Sequence, residues 1–402
     1  MHRSGTAEWQ GENGMRAALI DSRIGRKEFL RLPWRIYAGD PCWVPPLRRE
    51  ERRKINRRNN PFFEYGSAEL LGVYGPSGDL VARAMAIHNP RFQRYQDPTA
   101  GFFGMFETVN DLEVARLLLE AVRDRLRRKG CTSLLGPVTM TPNEEVGLLI
   151  EGCGTPPAIL TNYAPQYYGD LLSRCGLSRA MDLLTYAAEL GHSFPKKFFD
   201  VLEFVQRRGK IRIRTYDRAR WRSEVELIRT LYNESFTDVW GFVPVTVAEA
   251  QEMGRMLRYS DDQLIAIVEC DGRPAGCILA ALDLNEILRG FNGRLSLVGA
   301  LKILRIRQTD TGVRVMVLGV LPEFRSRGIE VILIDHVRRR MLLQGYRRAE
   351  FSFVLEDNVP MRRLLEGLGF AQTKLHRVFQ GPIDPEPSGS PAGERRRPWK
   401  SS

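Results

Sequence analysis

The densest chemistry in this 402-residue chain lies between Thr311 and Phe370. Arg325, Ser326, Arg327 and Gly328 stand between an apolar run and a long helical pattern. Two guanidiniums and a glycine at a helix entrance are the materials of a phosphate site. The first N–H groups of a helix have no partner within it, its dipole favours negative charge, and glycine admits a ligand close to the backbone. Arg325 and Arg327 would add charge-assisted hydrogen bonds. Pro-x-x-Arg-x-x-Gly also occurs in surface turns whose arginines are merely solvated, so its neighbours must decide. Three acids are placed for proton transfer to or from an attacking group. Glu356 and Asp357 close a second apolar run, and Glu234 precedes Trp240. Glu356 and Asp357 also suit the N-terminus of the helix that follows them.

The elements that position these residues are legible from periodicity. Val313, Val315, Met316, Val317, Leu318, Gly319 and Val320 form a strand-length apolar run. Ile329, Leu333, Val337 and Met341 then recur at helical spacing up to Gly345, a helix stop. Ala349 to Leu355 reads as a second strand. Asn358 before Pro360 caps a short helix that carries Met361, Leu364, Leu365 and Leu368. Strand, glycine-bearing turn, helix and strand make a βαβ unit, hence parallel pairing.

Pro322-x-x-Arg325-x-x-Gly328-Ile329 after one strand, with Asn358-x-x-Met361 and Leu368-Gly369-Phe370 after the next, resembles the GNAT superfamily of acyl-CoA-dependent N-acyltransferases. The resemblance implies acyl-CoA or acetyl-CoA as co-substrate and an amine as acceptor. It implies a pyrophosphate cradle at Arg325, Ser326, Arg327, Gly328, Ile329 and Glu330, with Asn358 nearby. Leu318, Gly319 and Val320 would line pantetheine and polarise the thioester carbonyl. Glu330 stands where the family usually has Gly or Ala. Leu365 stands where many members have the Tyr that protonates the leaving thiolate.

Motifs outside this unit extend the resemblance. Leu32-Pro33-Trp34-Arg35-x-Tyr37, Trp43-Val44-Pro45-Pro46-Leu47, Asn60-Pro61-Phe62-Phe63, Gly136-Pro137, Asn143-Glu144-Glu145-x-Gly147-Leu148-Leu149, Pro165-x-Tyr167-Tyr168 and Trp240-Gly241-Phe242-Val243-Pro244 resemble one bacterial family of tandem GNAT-like proteins. That family is similar to bacterial ceramide synthases, which acylate long-chain sphingoid amines. The implied fold is α/β, two tandem GNAT-like domains, each a mixed sheet flanked by helices. A flexible terminus is expected over 1–20, a first domain without the CoA turn over 21–195, the acyltransferase domain over 196–380, and a disordered basic tail over 381–402. The first domain shows strands at Ala68–Tyr74, Leu80–Ile87 and Gly101–Glu107, then a helix capped by Asp111, with Pro33 breaking an earlier apolar run. Asn143, Glu144 and Glu145 either cover the acceptor pocket or order a loop.

Composition bounds the partners. The net charge of +12 suits a polyanionic cofactor, an anionic membrane or nucleic acid. No helix-turn-helix or zinc-finger pattern supports nucleic acid. Six scattered cysteines without a CxxC read as reduced thiols and argue against a metal. The N-terminus lacks a secretory pattern, and no apolar run reaches transmembrane length, so a cytoplasmic protein is expected. Residues 287–306 mix Leu288, Phe291 and Leu295 with Arg289, Arg294 and Lys302. Such a basic amphipathic segment either rests on an anionic membrane or packs on its own domain. The alternative to an enzyme is an inactive acyl-CoA sensor or a nucleic-acid-binding regulator.

Overall fold

The structure is a computed structural model and describes residues 8–189, 193–207, 211–257, 261–294 and 311–384. The first half runs β1 (Glu8–Gln10), β2 (Arg16–Leu19), α1 (Arg23–Ile36), α2 (Arg48–Lys54), β3 (Ser67–Tyr74), β4 (Leu80–His88), α3 (Pro90–Tyr95), β5 (Ala100–Thr108), α4 (Leu112–Arg127), β6 (Ser133–Gly136), β7 (Val138–Thr139), β8 (Glu145–Val146), β9 (Leu148–Glu151), α5 (Tyr168–Arg174) and β10 (Ser178–Glu189). The second runs α6 (Lys196–Arg207), β11 (Ile211–Thr215), α7 (Trp221–Ser235), α8 (Val247–Leu257), β12 (Ile265–Cys270), β13 (Arg273–Leu282), α9 (Asn285–Arg289), β14 (Val313–Val320), α10 (Ile329–Gln344), β15 (Arg348–Leu355), α11 (Val359–Gly367) and β16 (Ala371–Pro382). Both halves are α/β, as the sequence led us to expect.

Three expectations need correction. The tail expected to be disordered from residue 381 begins inside a strand, since β16 runs to Pro382 and Ile383 is fully buried. Residues 8–19 of the terminus expected to be flexible are strands: β1 pairs with β2, and β2 with β3. Ala17 is fully buried and Trp9 packs on the same core, so this edge is held by apolar burial. Pro33 does not break α1, which passes through it and is capped by the Ser22 side chain accepting from the Gly25 amide.

Fourteen strands form one sheet through both halves, in the order β1-β2-β3-β4-β5-β6-β16-β10-β15-β14-β13-β12-β11, with β9 also on β16. The halves exchange their last strands. β16, the final strand, pairs with β6 of the first half and with β10. β10 in turn pairs with β15 of the second half.

Each half contains a parallel pair that opens after three residues. Val313–Val315 pair with Ala349–Phe351, after which β14 and β15 separate. Ala100–Phe102 pair with Ser133–Leu135, after which β5 and β6 separate. The first half fills its own opening: a Cβ on Gly104 would stand 2.4 Å from the Val138 carbonyl oxygen, and one on Gly136 equally close to that of Phe103. Of the 287–306 insertion, only 287–294 is described, and residues 295–306 lie outside the described residues. The described part packs on the first half. Arg289 donates to the Pro41 carbonyl at 2.8 Å, Trp34 to Asn292 at 2.7 Å, and the Arg48 amide to the Gly293 carbonyl at 3.0 Å.

Candidate active site

β14 carries a bulge where it leaves β15. Leu279 of β13 faces Val317 and Ala280 faces Val315, so Met316 has no partner. The extra residue re-aims the strand. Leu318, Gly319 and Val320 remain paired with β13 on one side and face the opening on the other.

The turn into α10 has the shape expected of an anion site. Gly328 is its N-cap at φ 76°, a left-handed conformation that glycine adopts without strain, and no side chain caps the helix. No side chain therefore takes up the Ile329 and Glu330 amides, while the Val331 amide donates to the Gly328 carbonyl at 3.1 Å. Gly328 has a packing role as well, since a Cβ there would lie 2.6 Å from Val205 of α6. Ser326 has φ 59°, Ile329 is buried, and Glu330 is half-buried in the first turn. Arg327 is exposed, its guanidinium 5.2 Å from the centre of the Phe324 ring. Arg325 reaches the other way and donates to the Ser235 carbonyl at 2.8 Å. The turn is thus tied to the end of α7. These residues fit a pyrophosphate: first-turn amides without a side-chain cap and an exposed guanidinium.

The expected acids are scattered. Glu356 is engaged with Arg179 at 2.5 Å and accepts from the Asp182 amide, which ties β15 to β10. Asp357 is exposed beside Asn358, whose side chain caps α11 by accepting from the Met361 amide. Glu234 is exposed near the end of α7, next to the buried Ser235. Leu365, where many relatives have Tyr, is fully buried.

The loop Trp240–Pro244 is held by side chains of the first half. Asn143 donates to the Val243 carbonyl and accepts from Tyr232 of α7; Gln96 and Arg91 donate to the carbonyls of Phe242 and Pro244. Glu144 is pushed up to about 8 by burial and by neighbouring Glu145, while Lys54 binds both Glu51 and Glu145. Of the two roles open for 143–145, ordering a loop is the one these bonds describe.

The GNAT acetyltransferase family matches residues 225–370. The chain is 31% identical over 367 residues to the bacterial ceramide synthase of Caulobacter vibrioides, covering 88% of this chain and 94% of that protein. It is 31% identical over 373 residues to Protein YghO of Escherichia coli, covering 89% and 93%. The chain belongs to this tandem GNAT family. In fold it is similar to a tandem GNAT protein from the clavulanic acid biosynthesis pathway, at TM-score 0.57 and 13% identity over 93% of this chain and 100% of that one. It is also similar to the glucosamine N-acetyltransferase region of a fungal β-N-acetylglucosaminidase, at TM-score 0.54 and 12% identity over 92% of this chain and 38% of that one.

The GNAT fold generally uses acetyl- or acyl-CoA as co-substrate, and among the described residues no metal cluster is found. Sequence reasoning missed a buried polar layer beside the opening. Arg314 of β14 donates to Ser352 and to the Ile159 carbonyl; Ser352 donates to Glu350; Lys374 reaches the carbonyls of Gly152 and Thr155. His376 donates from Nε2 to the Asn162 carbonyl at 3.0 Å, and among the described residues its Nδ1 has no partner. Burial lowers its pKa to about 4, so the ring is neutral. These residues stand singly in apolar runs, a signal that only burial makes meaningful.

Proposed function

We propose that this protein transfers an acyl group from acyl-CoA to an amine, and that the acceptor is a long-chain lipid amine. The observation that carries the reaction is the conjunction of two features on one βαβ unit. A bulged strand parts from its parallel neighbour, and an uncapped helix entrance with Arg327 follows directly. CoA supplies an activated thioester. Arg325, Ser326, Arg327, Gly328, Ile329 and Glu330 would hold its pyrophosphate, with Asn358 nearby, and Leu318, Gly319 and Val320 its pantetheine arm. The backbone N–H groups facing the opening would then hydrogen-bond the carbonyl oxygen as negative charge develops on it. Exposed Glu234 and Asp357 remain candidates to take the amine proton, whereas Glu356 is committed to Arg179. The lipid acceptor rests on similarity to the ceramide synthase.

The test is thiol release from acyl-CoA with sphinganine and with short amines as acceptors. Release that depends on the long-chain amine is the expected result. Arg327→Glu, an exposed change that leaves the α6 contact intact, should raise the KM for acyl-CoA about 10-fold or more, as expected for losing a hydrogen bond to a charged group. CoA binding without release for any amine would mark a sensor instead. Unaltered acyl-CoA kinetics in Arg327→Glu would remove the turn from the site.

A further inference from the structure

Ser235, the last residue of α7, has a feature that the fold does not use. The residue is 5% exposed, and its Oγ has no hydrogen-bond partner among the described residues. Serines near helix ends ordinarily bond a carbonyl of the preceding turn, and a buried hydroxyl left unpaired bears its full desolvation cost. The hydroxyl also has a defined neighbour. A Cβ built on Gly319 would stand 3.1 Å from Ser235 Oγ and 3.2 Å from the Phe236 ring. Ser235 therefore overlies β14 at Gly319, and a side chain at 319 would press on Ser235 and Phe236 until one of them gave way by a few tenths of an ångström. Its carbonyl accepts from Arg325 of the phosphate turn. One residue thus joins the turn and the strand.

We propose that Ser235 Oγ–H donates a hydrogen bond to the thioester carbonyl oxygen of bound acyl-CoA. This rests on the acyltransferase reading above and adds a catalytic residue to it. As the amine nitrogen bonds to the carbonyl carbon, the carbonyl π electrons move onto the oxygen. They return as the C–S bond breaks and the thiolate leaves. The amine proton departs to solvent or to a carboxylate. Ser235 keeps its own proton throughout and supplies a donor where the charge is greatest. A slot at Gly319 is needed because the donor comes from the helix above the strand, in addition to the backbone amides beside it.

The probe is acetyl-CoA with a ¹³C-labelled carbonyl, bound to wild type and to Ser235→Ala, with calorimetry against CoA in parallel. The infrared carbonyl band should lie at lower frequency in wild type and move up in Ser235→Ala. CoA affinity should be equal in the two proteins, and the melting temperature of the variant unchanged or raised, because an unpaired hydroxyl is removed. Turnover in Ser235→Ala should fall about 10²-fold, as for an oxyanion donor, and Ser235→Cys, which retains a weak donor, should recover part of it. An identical carbonyl band in both proteins overturns this inference and leaves the acyltransferase reading standing. So does an equal loss of CoA and acetyl-CoA binding, which would make Ser235 only a prop for Arg325. Wild type that binds neither ligand overturns the acyl-CoA reading and this inference together.

Discussion

Glu107, near the end of β5, is enclosed by Tyr37 and Tyr168, whose hydroxyls donate to it at 2.9 and 2.8 Å, with Arg83 at 3.6 Å. Burial outweighs these partners and lifts its pKa to about 7. The folded protein thus keeps a proton that the unfolded chain has released above pH 4.5, so this group costs stability as pH rises from 4.5 to 7, by about 3 kcal/mol at most. His376 acts in the opposite sense. Its folded pKa near 4 lies below the unfolded value, so it costs stability as pH falls from 6.5 to 4. Between pH 4.5 and 6.5 the two slopes oppose each other. Glu107→Gln should therefore gain relative to wild type from pH 4.5 to 8, and should expose a loss on acidification that belongs to His376. Melting curves across this range check it; a constant offset between the two proteins would show that Glu107 is already ionised when folded.

The helices after the two opened strands differ at their first turn, which decides what each can bind. In α4, Asp111 Oδ1 accepts from the amides of Glu113 and Val114, so a carboxylate already occupies the anion position. In α10 the N-cap is Gly328 and no side chain intrudes. The opening before α4 is also filled by its own chain at Gly104 and Gly136, whereas β14 meets a bulge and Ser235. A phosphate approaching α4 would meet like charge, with the Glu113 and Val114 donors already taken. Calorimetry should accordingly give one CoA per chain, and two equivalent sites would overturn this account of the first half.

Across the whole molecule, the halves depend on one another through strands and a loop. β10 lies between β16 and β15, and β16 borders β6, so each half supplies a strand that the other must pair with. Asp182 of β10 binds Arg377 of β16 at 2.7 and 2.9 Å, and Glu356, just past β15, accepts from the amide of Asp182. Separated at 195/196, the second half would expose the unpaired backbone edge of β15, and the first half that of β6. Each alone is expected to melt without a cooperative transition, and co-expression should restore one. Circular dichroism of the two fragments tests this; a cooperative melt from either fragment alone would show that the exchange is dispensable. The first half also holds Trp240–Pro244 in place through Gln96, Arg91 and Asn143, a positioning role that does not require it to bind CoA.

The sequence by itself determined the βαβ unit, the Arg325–Ile329 turn and the repeat of one layout in two halves. Those follow from local periodicity, a left-handed glycine and a helix entrance, all encoded within a few residues of one another. Residues 8–19 escaped notice because short edge strands with polar faces carry little apolar pattern, and Pro33 because a helix held by packing tolerates what propensity forbids. Only the tertiary structure decided which acids are free. Glu356 looks like a base in the chain and is an ion-pair partner in the fold, because Arg179 is 177 positions away in sequence. The strand exchange, the clamp on Trp240–Pro244 and the unpaired hydroxyl of Ser235 were equally out of reach, since register and hydrogen-bond satisfaction depend on residues brought together from both halves.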